Sequence, residues 1–143
     1  MRKRTQAREF ALQLLYQHEL NPVPVEELLQ NFQTHNPEQP PEVLQFTQEL
    51  VRGTLEKKAE LDPLIEKYAD NWQLHRMAAI DRNILRFAVF ELLCRPDIPP
   101  KVTINEAVNI AKKFSQEDSG KFVNGILDKI HHAENPKKEI PQS

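Results

Sequence analysis

Proline spacing constrains this chain more than any other feature. Of its 11 prolines all but Pro63 fall in groups between segments of helical periodicity, at Pro22 and Pro24, Pro37 to Pro41, Pro96 to Pro100, and Pro136 and Pro141, and glycine occurs only three times. Proline lacks an amide donor and is expelled from helix interiors, so prolines gathered in clusters act as punctuation between helices. Alternating runs of β-branched residues, the signature of strands, are absent. The chain is therefore expected to be all-α, with about seven helices in two packed three-helix-bundle-like subdomains.

The apolar periodicity places those helices. The first covers about 3–20, with Ala7, Phe10, Ala11, Leu14, Leu15 and His18 inward, Arg4, Arg8 and Leu12 on one flank, and Tyr16 nearly opposite the core. A second covers 25–33 and a third 42–59. Gly53 lies inside the third, where it costs about 1 kcal/mol against alanine, so a close-packed neighbouring backbone is expected there. Asp62-Pro63 reads as a cap followed by proline at the first helical position, which starts a fourth helix running to about 72. The fifth, 76–95, is apolar nearly all round and belongs at the centre of a bundle. Asp81, Arg82, Arg86 and Glu91 interrupt it, with surface ion pairing along the helix as their expected role. The last two helices start at Thr103, where Glu106 completes a capping-box pattern, and near Ser119. The division falls near Leu61, giving one domain over 1–134 with subdomains of about 1–60 and 61–134, followed by a disordered tail at 135–143.

At 143 residues and a net charge of −2 the chain has the length for a real core and no overall pull toward polyanions. The charge is uneven: residues 1–9 carry +3, residues 10–70 carry −7 and residues 71–143 carry +2. Arg2, Lys3, Arg4 and Arg8 make the N-terminus a local anion attractor, or else simply a solvated helix start. No apolar run approaches the roughly 18 residues of a membrane span, and the lone Cys94, in an apolar stretch, is expected to be buried. A cytoplasmic protein follows. No phosphate-cradling glycine loop, nucleophile elbow or zinc-binding HExxH is present, and the histidines have no cysteine partners, so neither catalysis, cofactor nor metal is expected. Binding remains. Phe122 lies at the edge of the last helix's apolar stripe, beside Lys121. Spacing allows either a base-stacking aromatic or peripheral core, and the usual width of apolar stripes favours core.

Several segments resemble one family along most of the chain. RTQAREFALQLLYQHEL, LDPLIEKYADNW, RMAAIDRNILRFAVFEL, KVTINEAVNIAKKF and KFVNGILDKI occur in the order found in the NusB transcription antitermination factors. The proline-rich linker 21–41 and the residues after Ala133 depart from it. The resemblance implies an all-helical, non-enzymatic protein that binds the single-stranded boxA element of ribosomal RNA transcripts. It implies partnership with NusE, a small-subunit ribosomal protein, and entry into the RNA polymerase antitermination complex. Carried over residue by residue, it selects Arg2, Lys3, Arg4, Arg8, Tyr16, Lys121 and Phe122 as RNA contacts, with Asp118 tuning affinity. Arg76, Asp81 and Arg82 are the implied partner contacts. A homodimer through the partner surface is a further possibility, and a protein–protein adaptor with minor RNA contact is the alternative function.

Overall fold

The computed structural model describes residues 2–134, and the tail expected at 135–143 lies outside them. Six α-helices carry the described chain: α1 Arg2–Leu20, α2 Val25–His35, α3 Pro41–Tyr68, α4 Ala79–Cys94, α5 Pro100–Phe114 and α6 Glu117–Glu134, with a 3₁₀ turn at Leu74–Arg76 before α4. No strand occurs among the described residues. The all-α expectation holds, with one helix fewer than about seven because two of the expected helices are one.

That fusion is α3. The stripe Leu50, Val51 and Thr54 continues through Leu61 and Ile65, all buried, so the helix keeps facing the core across position 63. Pro63 is exposed and interior to the helix. A proline there costs about 3 kcal/mol. Burying Leu61 and Ile65 gains about 1.5–3 kcal/mol each. Asp62 does not cap anything: both its carboxylate oxygens accept from Arg86, at 2.9 and 3.1 Å. True starts by proline are found at Pro41 and Pro100, which take the first helical positions of α3 and α5.

The central helix is α4, as its pattern demands. It packs against α1, α3, α5 and α6, and Ile84, Leu85, Phe87, Ala88, Val89 and Leu92 are fully enclosed. α5 and α6 form an antiparallel pair against it, while α2 lies on α3 and reaches α1 through an edge-to-face contact of Phe32 with Phe10 at 4.9 Å. Gly53 does meet a close neighbour, but a side chain: a Cβ there would sit 2.2 Å from the ring tip of Phe90. Cys94, expected inside, ends α4 and is exposed.

The charged residues of α4 depart furthest from expectation. They face inward and pair with other helices. Glu91, fully buried, receives Arg8 Nε at 2.7 Å and Nη2 at 2.9 Å, and Thr103 Oγ1 at 2.9 Å. Glu106 accepts from Arg8 Nη1 at 3.1 Å and from Thr5 at 2.6 Å. The capping-box reading of Thr103 and Glu106 is thus wrong: α5 begins three residues earlier, and both side chains serve a buried ion cluster. A second cluster joins Glu19 to Arg82, Asn83 and Arg86, and Arg86 in turn to Asp62.

Candidate nucleic-acid interface

The first turn of α1 presents Arg2, Lys3 and Arg4 to solvent. No acidic residue stands in that turn, so the positive end of the helix dipole adds to three side-chain charges. Lys3 lies 3.3 Å from Glu42 across an exposed pair, a contact weak enough to exchange for phosphate. The Arg4 guanidinium rests over the Phe46 ring at 4.6 Å from its centroid, which holds the charge near the α3 start. Arg2 and Lys3 border a shallow cavity with Gln6, Glu9 and Lys113. Lys113, from the last turn of α5, donates to Glu9 at 3.0 Å and adds a cation that the N-terminal sequence alone could not supply.

Arg8 does not belong to this surface. It is 1% exposed, bidentate on Glu91 and tied to Glu106. Its position on the same flank as Arg4 is correct, but α4 and α5 cover that flank and neutralise the charge. It cannot meet a phosphate while the fold is intact.

Tyr16 is exposed and lines an apolar groove of about 760 Å³ between α1, the start of α4 and the end of α5. Ile80 and Phe114 share it, and Phe114 is 43% exposed. Gln6 and Glu9 border both this groove and the cavity at Arg2 and Lys3, so one face of α1 carries a continuous strip from basic to apolar.

Asp118 and Lys121 are exposed at the start of α6, and Phe122 is half-buried. Phe122 packs against the core while meeting Trp72 at 5.5 Å between centroids and 84° between planes. The peripheral-core reading of its spacing therefore holds, with part of the ring left open. Lys121 and Phe122 border a third hollow with Trp72 and Lys129, which shares no bordering residue with the α1 strip. Arg2, Lys3 and Tyr16 thus border the α1 strip, and Lys121 and Phe122 a separate hollow.

Among the expected partner contacts, only Arg76 is exposed. Arg82 is mostly covered, held by Glu19 and donating to the Met77 carbonyl at 2.6 Å. Asp81 is 8% exposed; its Oδ2 accepts from Ser119 at 3.2 Å, its Oδ1 has no partner, and Ser119 in turn meets Ser115 at 2.8 Å. Asp81 is therefore an internal tie between α4 and the α5–α6 turn, and not a docking contact. Burial pushes its carboxyl pKa up, against the weaker pull of the Ser119 hydrogen bond. Burial also raises that of Glu19, but hydrogen bonds from Arg82 and Asn83 and the charges of Arg82 and Arg86 outweigh it and leave the pKa lowered. Two residues missed by sequence reasoning are Phe114 and Trp72. Both carried a readable signal, since an aromatic at a helix end or in an Asp-Asn turn has little core to enter.

Among the described residues no group of three or more His, Cys, Asp or Glu side chains could hold a metal ion, and no helix is long and apolar enough to cross a membrane. The family model of the NusB family matches residues 5–132. The transcription antitermination protein NusB of Thermodesulfovibrio yellowstonii is 46% identical over 137 residues, covering 90% of this chain and 91% of that protein. The protein of the same name from Myxococcus xanthus is 46% identical over 133 residues, covering 91% and 95%. Among solved structures, T. maritima NusB superposes with a TM-score of 0.87 at 37% identity over 96% of each chain. A crystal structure of the antitermination factors NusB and NusE in complex with dsRNA gives 0.83 at 30% identity, over 93% of this chain and 98% of that one.

Proposed function

Because the chain belongs to the NusB family, we propose that it is an RNA-binding transcription antitermination factor, not an enzyme. In this reading it binds the boxA element of ribosomal RNA transcripts together with NusE and joins the RNA polymerase antitermination complex in the cytoplasm. The observation that carries the RNA contact is the first turn of α1, where Arg2, Lys3 and Arg4 are exposed without an acidic neighbour in the turn. Lys121 and Phe122 extend the contact on α6. Asp118 stands in the open near them, where a carboxylate repels phosphate and limits indiscriminate binding. A solved relative that holds both NusE and RNA supports the pairing of the two partners.

NusE is assigned to the groove at Tyr16, Ile80 and Phe114, with exposed Arg76 as an outlying contact. Residues 10–70 carry a net charge of −7, which suits a basic ribosomal protein. A second copy of this chain is the competing occupant. Sedimentation of the chain with and without NusE separates a homodimer from a heterodimer.

The decisive experiment titrates boxA RNA and a scrambled control against the chain, with and without NusE, at two salt concentrations. With three or four phosphates neutralised, log K should fall against log salt with a slope of about −2 to −3. Joint replacement Arg2→Glu and Arg4→Glu should abolish measurable RNA binding at moderate salt. A flat salt response, or indifference to the double replacement, sinks the RNA reading. Retained NusE binding with no RNA protection would instead favour the adaptor function.

A further inference from the structure

The cavity at the start of α1, about 760 Å³ in volume, is bordered by three cations, Arg2, Lys3 and Lys113, and by one carboxylate, Glu9. We propose that Glu9 is a specificity-determining residue for RNA: it accepts a hydrogen bond from the exocyclic amino group of a base and refuses a second phosphate. This role rests on the RNA-binding reading above and adds to it the means by which the α1 face tells one base from another.

A carboxylate is an odd member of a phosphate site, because it repels the group that the cations attract. Its placement gives it a use. Residues 2, 6 and 9 succeed one another at steps of four and three, so Arg2, Gln6 and Glu9 lie on one face of α1. Arg2 and Lys3 stand at the helix terminus, where the dipole and the free N–H groups of the first turn hold a phosphate best. Gln6 and Glu9 follow further in, beyond those groups. Thr5, the remaining polar residue on the border, already donates to Glu106 at 2.6 Å. A strand whose phosphate rests on the terminus therefore turns its next base edge toward Gln6 and Glu9. A carboxylate takes the amino group of cytosine, adenine or guanine, and it offers no donor to the carbonyl oxygens of uracil.

Lys113 and the helix itself hold that carboxylate in place. The Lys113 ammonium donates to both Glu9 oxygens, at 3.2 and 3.0 Å, from the last turn of α5. The Glu9 side chain is 24% exposed and that of Lys113 60%, so the carboxylate is recessed and the lysine is the more open partner. A carboxylate has roughly four lone-pair sites, which leaves capacity for a base beside the lysine. Ala7, Arg8 and Ala11, around Glu9 on α1, are buried, so its backbone is fixed before any RNA arrives. While it is paired with Glu9, Lys113 adds little to phosphate attraction. Without Glu9 it becomes a third free cation, and the cavity becomes a general phosphate site.

The test measures binding of dye-labelled oligocytidine and oligouridine of equal length to the full chain by fluorescence anisotropy over a range of salt, with boxA RNA as the control. The two oligomers carry the same phosphates and differ at the base edge alone. The parent should prefer oligocytidine. Glu9→Gln removes the charge and offers a donor as well as an acceptor, so it should serve either base, and the preference should fall by at least about fivefold. Freed Lys113 should also tighten oligouridine binding by about five- to tenfold at roughly 0.05 M salt and steepen the slope of log K against log salt by about 0.7. Glu9→Gln combined with Lys113→Gln should return that slope to the parental value. Circular dichroism checks that the helices are kept. Should Glu9→Gln unfold, Lys113→Gln alone decides the matter: the cytidine preference should persist with the salt slope unchanged. Unchanged preference and slope in Glu9→Gln, with boxA RNA still bound, overturns the role of Glu9 and leaves the α1 RNA contact standing. Weaker binding of both oligomers by that variant makes Glu9 a structural tie and overturns the role likewise. Absence of binding to either oligomer overturns it too, and absence of binding to boxA RNA as well overturns the RNA reading with it.

Discussion

Arg8 shows how the surroundings of a charged residue decide its work. In the sequence it is the fourth member of a basic cluster; in the fold it is a buried guanidinium whose charge is met by Glu91 and Glu106. Removing one member of such a pair leaves the other ionised in a dry site. Arg8→Ala should therefore destabilise the protein by about 3–5 kcal/mol in chemical denaturation. Arg8→Met combined with Glu91→Leu should cost less than Arg8→Ala alone. RNA affinity lost in the single variant should return in proportion to folded protein. Asp81 makes the opposite case. Its carboxyl has a raised pKa in the fold, so the folded state holds the proton more tightly than the unfolded chain. The stabilising contribution is full at pH below the ordinary carboxylate value near 4 and is lost as pH rises through the folded pKa. Asp81→Asn, which keeps an oxygen for Ser119 without the charge, should leave thermal stability unchanged near pH 3 and raise it near pH 7. A loss of stability near pH 7 would show that the ionised carboxylate is the favoured form.

At the level of the helix, α3 and α5 show which sequence signals were sufficient. Apolar periodicity located α1, α2, α4 and α6 and identified α4 as central, because a stripe that wide can only be buried from several sides. It failed at Pro63 and Thr103, where local start signals pointed one way and long-range burial the other. At Pro63 the core stripe on both sides outweighs the proline. At Thr103 the hydroxyl and the Glu106 carboxylate are claimed by residues 12 positions back and about 100 positions back, which no local window contains. The same limit applies to which residues of the candidate surface are exposed. Arg2, Lys3, Arg4 and Tyr16 are legible because a helix terminus and the face opposite a stripe are exposed by geometry alone. The burial of Arg8 was misread and the exposure of Trp72 overlooked because both depend on which helices arrive to cover them. Gly53 joins the two scales. Alanine is the better helix former by about 1 kcal/mol, but its Cβ would strike the Phe90 ring, itself 9% exposed. Gly53→Ala should lower stability by about 1–3 kcal/mol by overpacking, seen as a depressed melting temperature. Gly53→Ala with Phe90→Leu should recover part of the loss.

Across the molecule, two polar clusters and one apolar core tie the N-terminal helices to the C-terminal ones. The core is continuous from Ala7 in α1 to Ile130 in α6. The two clusters cross it at separate places, Arg8 with Glu91 and Glu106 at one, Glu19 and Asp62 with Arg82 and Arg86 at the other. Pairs of this kind add little net stability, but they penalise every packing of α1 against α4 in which a charge is left alone. They also set a timetable. Arg8 meets its partners 83 and 98 positions later in the chain, and a ribosome adds roughly 5–20 residues per second. For about 5–20 s of synthesis, then, α1 has emerged and can meet α3, but Arg8 has no carboxylate to pair with. Ribosome-stalled chains ending before residue 91 should leave α1 open to protease, and chains extended well past residue 106 should protect it. Protection in the shorter chains would show that α1 seats without the cluster. A chain whose first helix gains its buried ion pairs only when nearly all of it has been made must carry Arg8 uncompensated through most of its synthesis.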